Sequence, residues 1–296
     1  MQYVKKWIAD SEYTFLEITL NDSQDVENLA KYTNTRNVVV SLEDIKYLKD
    51  FTQIEKLIIT SGEPSNSMYE IFSKMTSLKA LEIDYEEVQP STVWCIDISI
   101  FPKLEYLFSR SSYNFCGSHL SKSLKTLKVM KWYEKDLKRL KGASIDSLCI
   151  CGGRLQSLVG IDNLSIQILS LSNLRNLKDI SSAETNPLKI LELENCNQIS
   201  SFESFSSKTL EYLMVYGKNK VQSGSFISKF KHLKRVMFDI IIEDGDLSFL
   251  DNLDHAVILT NKRTFNRTNS KLPKSEKRYI IKTIPEWRYI YSNRSI

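Results

Sequence analysis

The residues best able to do chemistry are cysteines and histidines, and their spacing matches no familiar reactive site. Cys149 and Cys151 are two residues apart, so on a strand their thiols would share a face. A structural zinc ion needs four ligands, and no Cys-x-x-Cys pair or nearby histidine completes a set here. His119, His232 and His255 are far apart in the sequence. We therefore interpret the two thiols as packing or surface groups and predict no metal site.

The glycines also favour no catalytic loop. The chain has nine of them, and none falls in a Walker A loop, a Gly-x-Gly-x-x-Gly turn or a Gly-x-Ser-x-Gly elbow. Phosphate-binding loops need closely spaced glycines because backbone N–H groups must approach the phosphate. We predict that the protein is not an enzyme and has no cofactor.

The composition is that of a water-soluble protein with an uneven charge. Apolar residues are 42% and charged residues 26%. Residues 262–296 hold ten Lys or Arg against two Asp or Glu, a net +8, whereas the remainder holds 30 against 34. No secretory signal or membrane span is evident, and the five cysteines are scattered and odd in number. We expect reduced thiols, a cytoplasmic location and no membrane contact.

A repeated six-residue phrase, apolar-x-x-Leu-x-apolar, organises the chain. Its copies start 20 to 26 residues apart, at Ile54, Leu78, Leu104, Leu124, Ile145, Ile166, Leu188, Leu210 and Leu233. Weaker copies lie at residues 15–18, 38–40 and 256–259, which gives roughly twelve strands. The return segments predict short helices at 22–32, 44–51 and 67–75. Near Gly142, Gly160 and Gly217 they leave room only for turns or 3₁₀ segments.

Two columns of the aligned phrases define a core. Because residues two apart on a strand share a face, the fourth and sixth positions point inward together. One repeat cannot bury its own apolar face, so the repeats must stack. The fourth column is Leu57, Leu81, Leu107, Leu127, Leu148, Leu169, Leu191, Leu213 and Val236. The sixth is Ile59, Ile83, Ser109, Val129, Ile150, Leu171, Leu193, Val215 and Phe238.

Residues 169–180 and 188–199 carry a family pattern. Both resemble the leucine-rich-repeat signature, with a period similar to the bacterial, internalin-like class. The resemblance covers about residues 16–259. It implies an α/β leucine-rich-repeat solenoid (horseshoe) with a concave parallel sheet and short helical or 3₁₀ returns. It also implies a non-catalytic protein-binding module, which we expect to be a monomer.

The ninth position departs from that pattern. The family usually places Asn or Cys there, where the side chain satisfies backbone groups in the turn, and in this chain only Cys196 fits. The equivalents are Gly62, Glu86, Ser112, Trp132, Gly153, Leu174 and Lys218. We therefore expect an irregular solenoid.

Outward strand positions are the candidate partner-binding residues. Aromatic, Met and charged side chains mix there as protein interfaces prefer. The alternative is that tight curvature lets these side chains cover one another. The candidates are Glu82, Asp84, Tyr106, Phe108, Arg110, Lys128, Met130, Glu192, Glu194, Tyr212, Met214 and Tyr216.

The chain divides into a solenoid, residues 1–261, and a basic segment, residues 262–296, that we interpret as a cap on the last repeat. Lys, Asn, Ile, Ser and Tyr are abundant, as in proteins from A/T-rich microbial genomes. By analogy with free-standing microbial solenoids, we expect an immunity protein that binds and neutralises a toxin such as a nuclease. The alternative is a nucleic-acid-associated protein. Its basic segment interleaves Tyr279, Trp287, Tyr289 and Tyr291 with Lys and Arg, as in single-strand binders.

Overall fold

A computed structural model describes residues 1–8, 11–18, 29–62, 67–85, 95–117, 122–162 and 164–258. The chain forms two compact units. The first comprises residues 1–133 and 139–148, and the second comprises residues 134–138 and those from 149 onward. The capping segment predicted at 262–296 lies outside the described residues, so that domain assignment stays a prediction.

The first unit is built on a mostly parallel sheet. Its neighbouring strands run in chain order, with β1 antiparallel to β2 and parallel pairing from β2 onward; β6 and β8 form a separate two-stranded parallel sheet. The described strands are β1 Gln2–Ile8, β2 Ser11–Ile18, β3 Asn37–Val40, β4 Lys56–Ile59, β5 Ala80–Ile83, β6 Ile96–Asp97, β7 Tyr106–Ser111, β8 Phe115–Cys116 and β9 Thr126–Lys131.

The second unit repeats the same arrangement. Strand β10, Ser147–Cys151, contains the point where the chain passes from the first unit to the second. The strands that follow are β11 Ile168–Ser172, β12 Ile190–Glu194, β13 Tyr212–Val221, β14 Arg235–Ile242 and β15 His255–Ile258, each parallel to the next. Aligned phrase positions pair directly, as in Leu169 with Leu191.

The return segments are mostly 3₁₀ turns. Helix α1, Ser67–Lys74, confirms the helix predicted at 67–75, whereas the helix predicted at 44–51 shrinks to a 3₁₀ segment, Ile45–Leu48. The one predicted at 22–32 lies largely outside the described residues. Other described 3₁₀ segments are Ala30–Tyr32, Ile98–Ile100, Ser112–Asn114, Lys138–Leu140, Ser181–Thr185, Ser225–Lys229 and Ser248–Asn252. Among the described residues, no helix has the length and apolar character needed to cross a membrane.

An N-terminal hairpin was not anticipated from the sequence. Strand β1 pairs along its whole length with β2, from Gln2 opposite Glu17 to Ile8 opposite Ser11. The outer edge of the first repeat strand is therefore hydrogen-bonded to β1 rather than open. Ion pairing supports the hairpin, since the Lys5 ammonium lies 3.2 Å from the Glu12 carboxylate.

The two inward columns form the core in both units. Every fourth-position side chain is at most 2% exposed, and every sixth-position side chain at most 1%. The first positions of the phrase are buried as well, from Ile54 to Leu233. The predicted stacking of repeats is therefore confirmed, including the weak phrases near Val38 and Ala256.

A ladder of alternating charge occupies the second phrase position, just before each strand. In the first unit Arg36, Glu55, Lys79, Glu105, Lys125 and Asp146 follow one another, and each backbone N–H donates to the carbonyl of the residue before it in this series. In the second unit Gln167, Lys189, Glu211, Lys234 and Asp254 do the same. Ion pairs join Glu55 to Lys79 at 3.2 Å and Glu105 to Lys125 at 2.9 Å.

The expectation that all five thiols are reduced is wrong for two of them. Cys95 and Cys116 form a disulfide with their Cα atoms 5.8 Å apart. They are 21 residues apart, about one repeat, so stacking places them side by side at the ends of the β6–β8 pair. The number of cysteines and their scatter along the sequence do not reveal that these two lie close together in neighbouring repeats. Cys149, Cys151 and Cys196 keep their thiols and form no disulfide with one another.

The core columns predict a large cost for truncation. Leu169→Ala should lower the free energy of unfolding by about 2–5 kcal/mol, because it removes a side chain with no exposed surface and leaves a cavity. Chemical denaturation measures this, with exposed Lys178→Ala as control. A loss below about 0.5 kcal/mol for Leu169→Ala would contradict the stacked core.

The charge ladder predicts a salt-dependent effect. Glu105→Lys creates a row of three positive charges, because its neighbours in the ladder are Lys79 and Lys125. It should lower stability by roughly 1 kcal/mol or less at low salt. Glu105→Gln is the matched control, since it removes the charge without reversing it. The gap between the two melting temperatures should close in about 1 M salt, where the screening length falls to about 3 Å. Equal melting temperatures of the two variants at low salt would show that the charge ladder does not contribute to stability.

Candidate protein-binding surface

The face of the sheet opposite the core carries the third, fifth and seventh phrase positions. Alternation along each strand puts these three on one side, and stacking aligns them into rows across neighbouring strands. We call this side the outward face of each unit. All twelve predicted binding residues lie on it, seven in the first unit and five in the second.

Much of the first unit's outward face is a second apolar cluster. Phe15, Val39, Ile58, Ala80 and Tyr106 are each at most 5% exposed and pack together. The partly buried side chains Val4, Tyr13 and Phe108 pack against them. The expectation that Tyr106 is an exposed anchor is therefore wrong. Its ring belongs to a packed layer that the N-terminal hairpin extends.

Charged groups border this cluster. The Lys128 ammonium lies 5.7 Å from the centre of the Tyr106 ring, and the Lys128 side chain is itself only 8% exposed. At the seventh row, Arg110 Nε donates to Asp84 Oδ1 at 2.6 Å, and about 40% of each side chain is exposed. The remaining candidates Glu82, Phe108 and Met130 are half-buried.

The second unit's outward face also has a buried centre. Met214, Tyr216 and Met237 form a cluster, with exposures of 1%, 5% and 2%. The Tyr216 hydroxyl points at both methionine sulfurs. Next to the cluster, Ser170 donates a 2.9 Å hydrogen bond to the carboxylate of Glu192, which is 8% exposed. Met214 and Tyr216 are therefore packing residues rather than exposed anchors.

The face retains half-buried groups in its third and seventh rows. In the third row, the Arg235 guanidinium lies 5.5 Å from the centre of the Tyr212 ring. In the seventh row, Glu194 and Asp239 are half-buried acidic side chains, and Ser172 precedes them. Partly exposed polar groups thus occur both at the start of the strands and along the seventh row.

An asparagine ladder lies immediately beyond the seventh row. Asn173 and Asn195 both have left-handed backbones, with φ of 55° and 54°. Asn195 Nδ2 donates to Asn173 Oδ1 at 3.1 Å, and both side chains are exposed. Gly217 takes the next place with φ of 119°, and a Cβ there would lie 2.9 Å from Asn195 Oδ1. The recurrence of Asn or Gly after the seventh position was a usable sequence signal that the phrase alignment did not exploit.

In both units, the side chains that satisfy backbone groups in the turns differ partly from the prediction. Cys196 does fill the family role, since its fully buried thiol lies 3.5 Å from the Leu171 carbonyl, and burial raises its pKa to about 11. Two asparagines that do not fall at the ninth position of the phrase also bond to backbone carbonyls. Asn219 donates to the Cys196 and Ile199 carbonyls, after a register shift between Tyr216 and Lys220. Asn114 donates to the Tyr85 carbonyl.

The other reactive groups form no site in the part of the chain that the structure describes. Cys149 and Cys151 are half-buried on β10, and no cluster of three or more His, Cys, Asp or Glu side chains occurs among the described residues. The basic aromatic segment 262–296 lies outside them, so both its capping role and its nucleic-acid role stay predictions.

Comparison with solved structures finds an internalin, InlF of Listeria monocytogenes. It is 18% identical, covers 81% of this chain and 78% of its own, and superposes with a TM-score of 0.50. The fold is a leucine-rich-repeat solenoid. A functional domain of InlJ from the same species, described as including a cysteine ladder, is 15% identical over 72% of this chain and 65% of its own, with a TM-score of 0.25. No protein-family model and no curated protein matches the sequence.

The buried outward cluster predicts a stability effect. Met214→Ala should lower the free energy of unfolding by about 2–5 kcal/mol, as for a core methionine. The matched control is Met130→Ala, which truncates a half-buried outward methionine and should cost distinctly less. Chemical denaturation decides. Equal, small losses would mean that Met214 is not packed.

Proposed function

We propose that the protein is a non-catalytic module that binds another protein along the seventh row of the outward face of its second unit. The observation that carries this proposal is the seventh row, where Glu194 and Asp239 are half-buried acidic groups and Glu194 directly precedes Asn195 of the exposed Asn173–Asn195 ladder. The solenoid fold supports it, because side chains in such a fold are presented in rows by a regular backbone.

The strand ends are suited to binding because they are held in place before any partner arrives. The Asn173 N–H donates to the Glu194 carbonyl at 2.7 Å, and the Asn195 N–H donates to the Tyr216 carbonyl at 2.8 Å. Since Asn195 Nδ2 also donates to Asn173 Oδ1 at 3.1 Å, these side-chain amides are held in place and can hydrogen-bond a partner with little loss of conformational entropy. The buried cluster of Met214, Tyr216 and Met237 packs the outward face next to these residues, and has too little exposed surface to contact a partner.

The charge of the row favours a basic partner. Two carboxylates, Glu194 and Asp239, lie on strands β12 and β14, and Glu192 adds a third on the same face. Acidic rows of this kind steer basic proteins and speed their association. The finer part of the proposal is that the partner is a basic toxin domain, such as a nuclease, which the protein neutralises as a cytoplasmic monomer.

Partner capture followed by calorimetry tests the proposal. The tagged full-length chain is used to capture a partner, which is then purified and titrated. Glu194→Lys combined with Asp239→Lys should weaken binding at least tenfold, about 1.4 kcal/mol, and high salt should reduce the difference between variant and wild type. Melting curves establish that the variant folds.

Asp162→Lys is the matched control, because it reverses an exposed acidic charge on a return segment. It should bind like wild type. If it abolishes binding while the double variant binds normally, the contact lies on the returns and the proposed edge is wrong. For the toxin role, co-expression should relieve growth arrest caused by the captured partner; a partner that causes no arrest would refute that role while leaving protein binding intact.

A further inference from the structure

The Cys95–Cys116 disulfide joins two return strands of the first unit. Cys95 immediately precedes β6 and Cys116 ends β8, and both are half-buried. The Tyr69 hydroxyl, on helix α1, donates to the Cys95 carbonyl at 2.6 Å. Gly117 follows with φ of 71°, and a Cβ there would lie only 2.0 Å from Asp97 Oδ1. The surroundings therefore hold the backbone at both cysteines in place, and both residues keep part of their surface exposed.

The repeat between these cysteines has an unusually polar core. Ser109 occupies the sixth position, where the other phrases place Ile, Leu, Val or Phe. With Ser111, Ser112 and Asn114 it forms a set of polar side chains that have no exposed surface. A serine in place of a branched aliphatic residue removes most of the stabilisation that burying an apolar side chain provides.

Hydrogen bonds replace part of that stabilisation. Ser109 Oγ donates to the Ser111 carbonyl at 2.7 Å, and Ser112 Oγ accepts from the Tyr133 N–H at 3.1 Å. The Arg139 guanidinium donates to the carbonyls of Ser112 and Phe115. Such bonds contribute less net stability than packed apolar surface and are lost together when the segment opens. This repeat is consequently the place in the first unit where a covalent link has most to add.

We propose that Cys95 and Cys116 form a reversible thiol–disulfide exchange site whose oxidation state controls local opening of the β6–β8 repeat. The reagents are low-molecular-weight thiols and disulfides of the glutathione class. One cysteine thiolate attacks the oxidised reagent and releases one thiol. The second cysteine thiolate then attacks the mixed disulfide and releases the other. Two protein thiols are oxidised and one reagent disulfide is reduced to two thiols.

The site gives the repeat different rigidity in different surroundings. In a reducing compartment the pair would be open, and the polar core would hold β7 with hydrogen bonds alone. In an oxidising compartment the disulfide closes the loop of chain that contains β7. The opened state of the repeat then has less conformational entropy, so opening is disfavoured. The proposal is independent of the protein-binding role, since its readouts need no partner.

Peptide mapping tests the pairing. The full chain is equilibrated in glutathione buffers of graded oxidation, denatured and alkylated with iodoacetamide, and digested. In oxidising buffer the Cys95 peptide should be linked to the Cys116 peptide, and in reducing buffer both should be alkylated. Alkylation of both at every ratio, or preferential linkage of either to Cys149, Cys151 or Cys196, would overturn the proposal.

Hydrogen exchange tests the consequence. Reduction of the wild-type chain should speed exchange of the β7 and β8 amides about tenfold or more, while β4 amides change little. Cys95→Ser with Cys116→Ser should exchange like the reduced protein and ignore reductant. Cys149→Ser with Cys151→Ser is the matched control and should keep the response. An unchanged or uniform exchange rate in reduced wild type would show that the pair does not govern this repeat.

Discussion

The structure depends on one constraint: the inward leucine of each strand can be buried only by the strands on either side of it. A single repeat exposes its apolar stripe, so stability arises at the interfaces between repeats. Leu169 pairs with Leu191 and Leu191 with Leu213, and all three have no exposed surface. This fixes the register of successive strands, because a slip of one residue would turn the leucines outward.

Apolar columns alone do not say which repeat should stack on which, since their residues are nearly identical. The second-position ladder supplies that information. Neighbours such as Glu55 and Lys79 attract, whereas a repeat stacked on its next-but-one neighbour would meet its own charge, at a cost on the order of 1 kcal/mol. The hydrogen bond from Lys79 lowers the pKa of Glu55, and that from Lys234 lowers the pKa of Glu211. Because these folded-state pKa values are depressed, the contribution is present above the unfolded value and is lost as pH falls through the folded one.

Sequence periodicity predicted the repeat strands and inward columns because a buried position repeated nine times is hard to mistake. It missed β1, since the residues of that strand lie outside the repeat and its antiparallel pairing follows from a local hairpin. It missed the Cys95–Cys116 link because the match depends on stacking of return strands whose lengths vary. It assigned Lys218 rather than Asn219 to the ninth position, because a register shift within β13 breaks the count. Each error arose where one repeat departs from the average.

On the candidate surface, the face of the sheet that a side chain lies on does not determine how exposed that side chain is. Alternation correctly assigned Tyr106, Met214 and Tyr216 to the outward face, but could not say that neighbouring strands would pack them into apolar layers. The aromatic and Met side chains of these buried clusters are poor contact residues, because they already stabilise the fold, whereas Phe108, Met130 and Tyr212 are half-buried. The surface that we propose for recognition includes the points where left-handed Asn173 and Asn195 end the alternation after β11 and β12 and turn polar groups toward solvent. These two asparagines are exposed because the chain leaves the sheet there, whereas Met214 and Tyr216 within β13 are covered by neighbouring side chains.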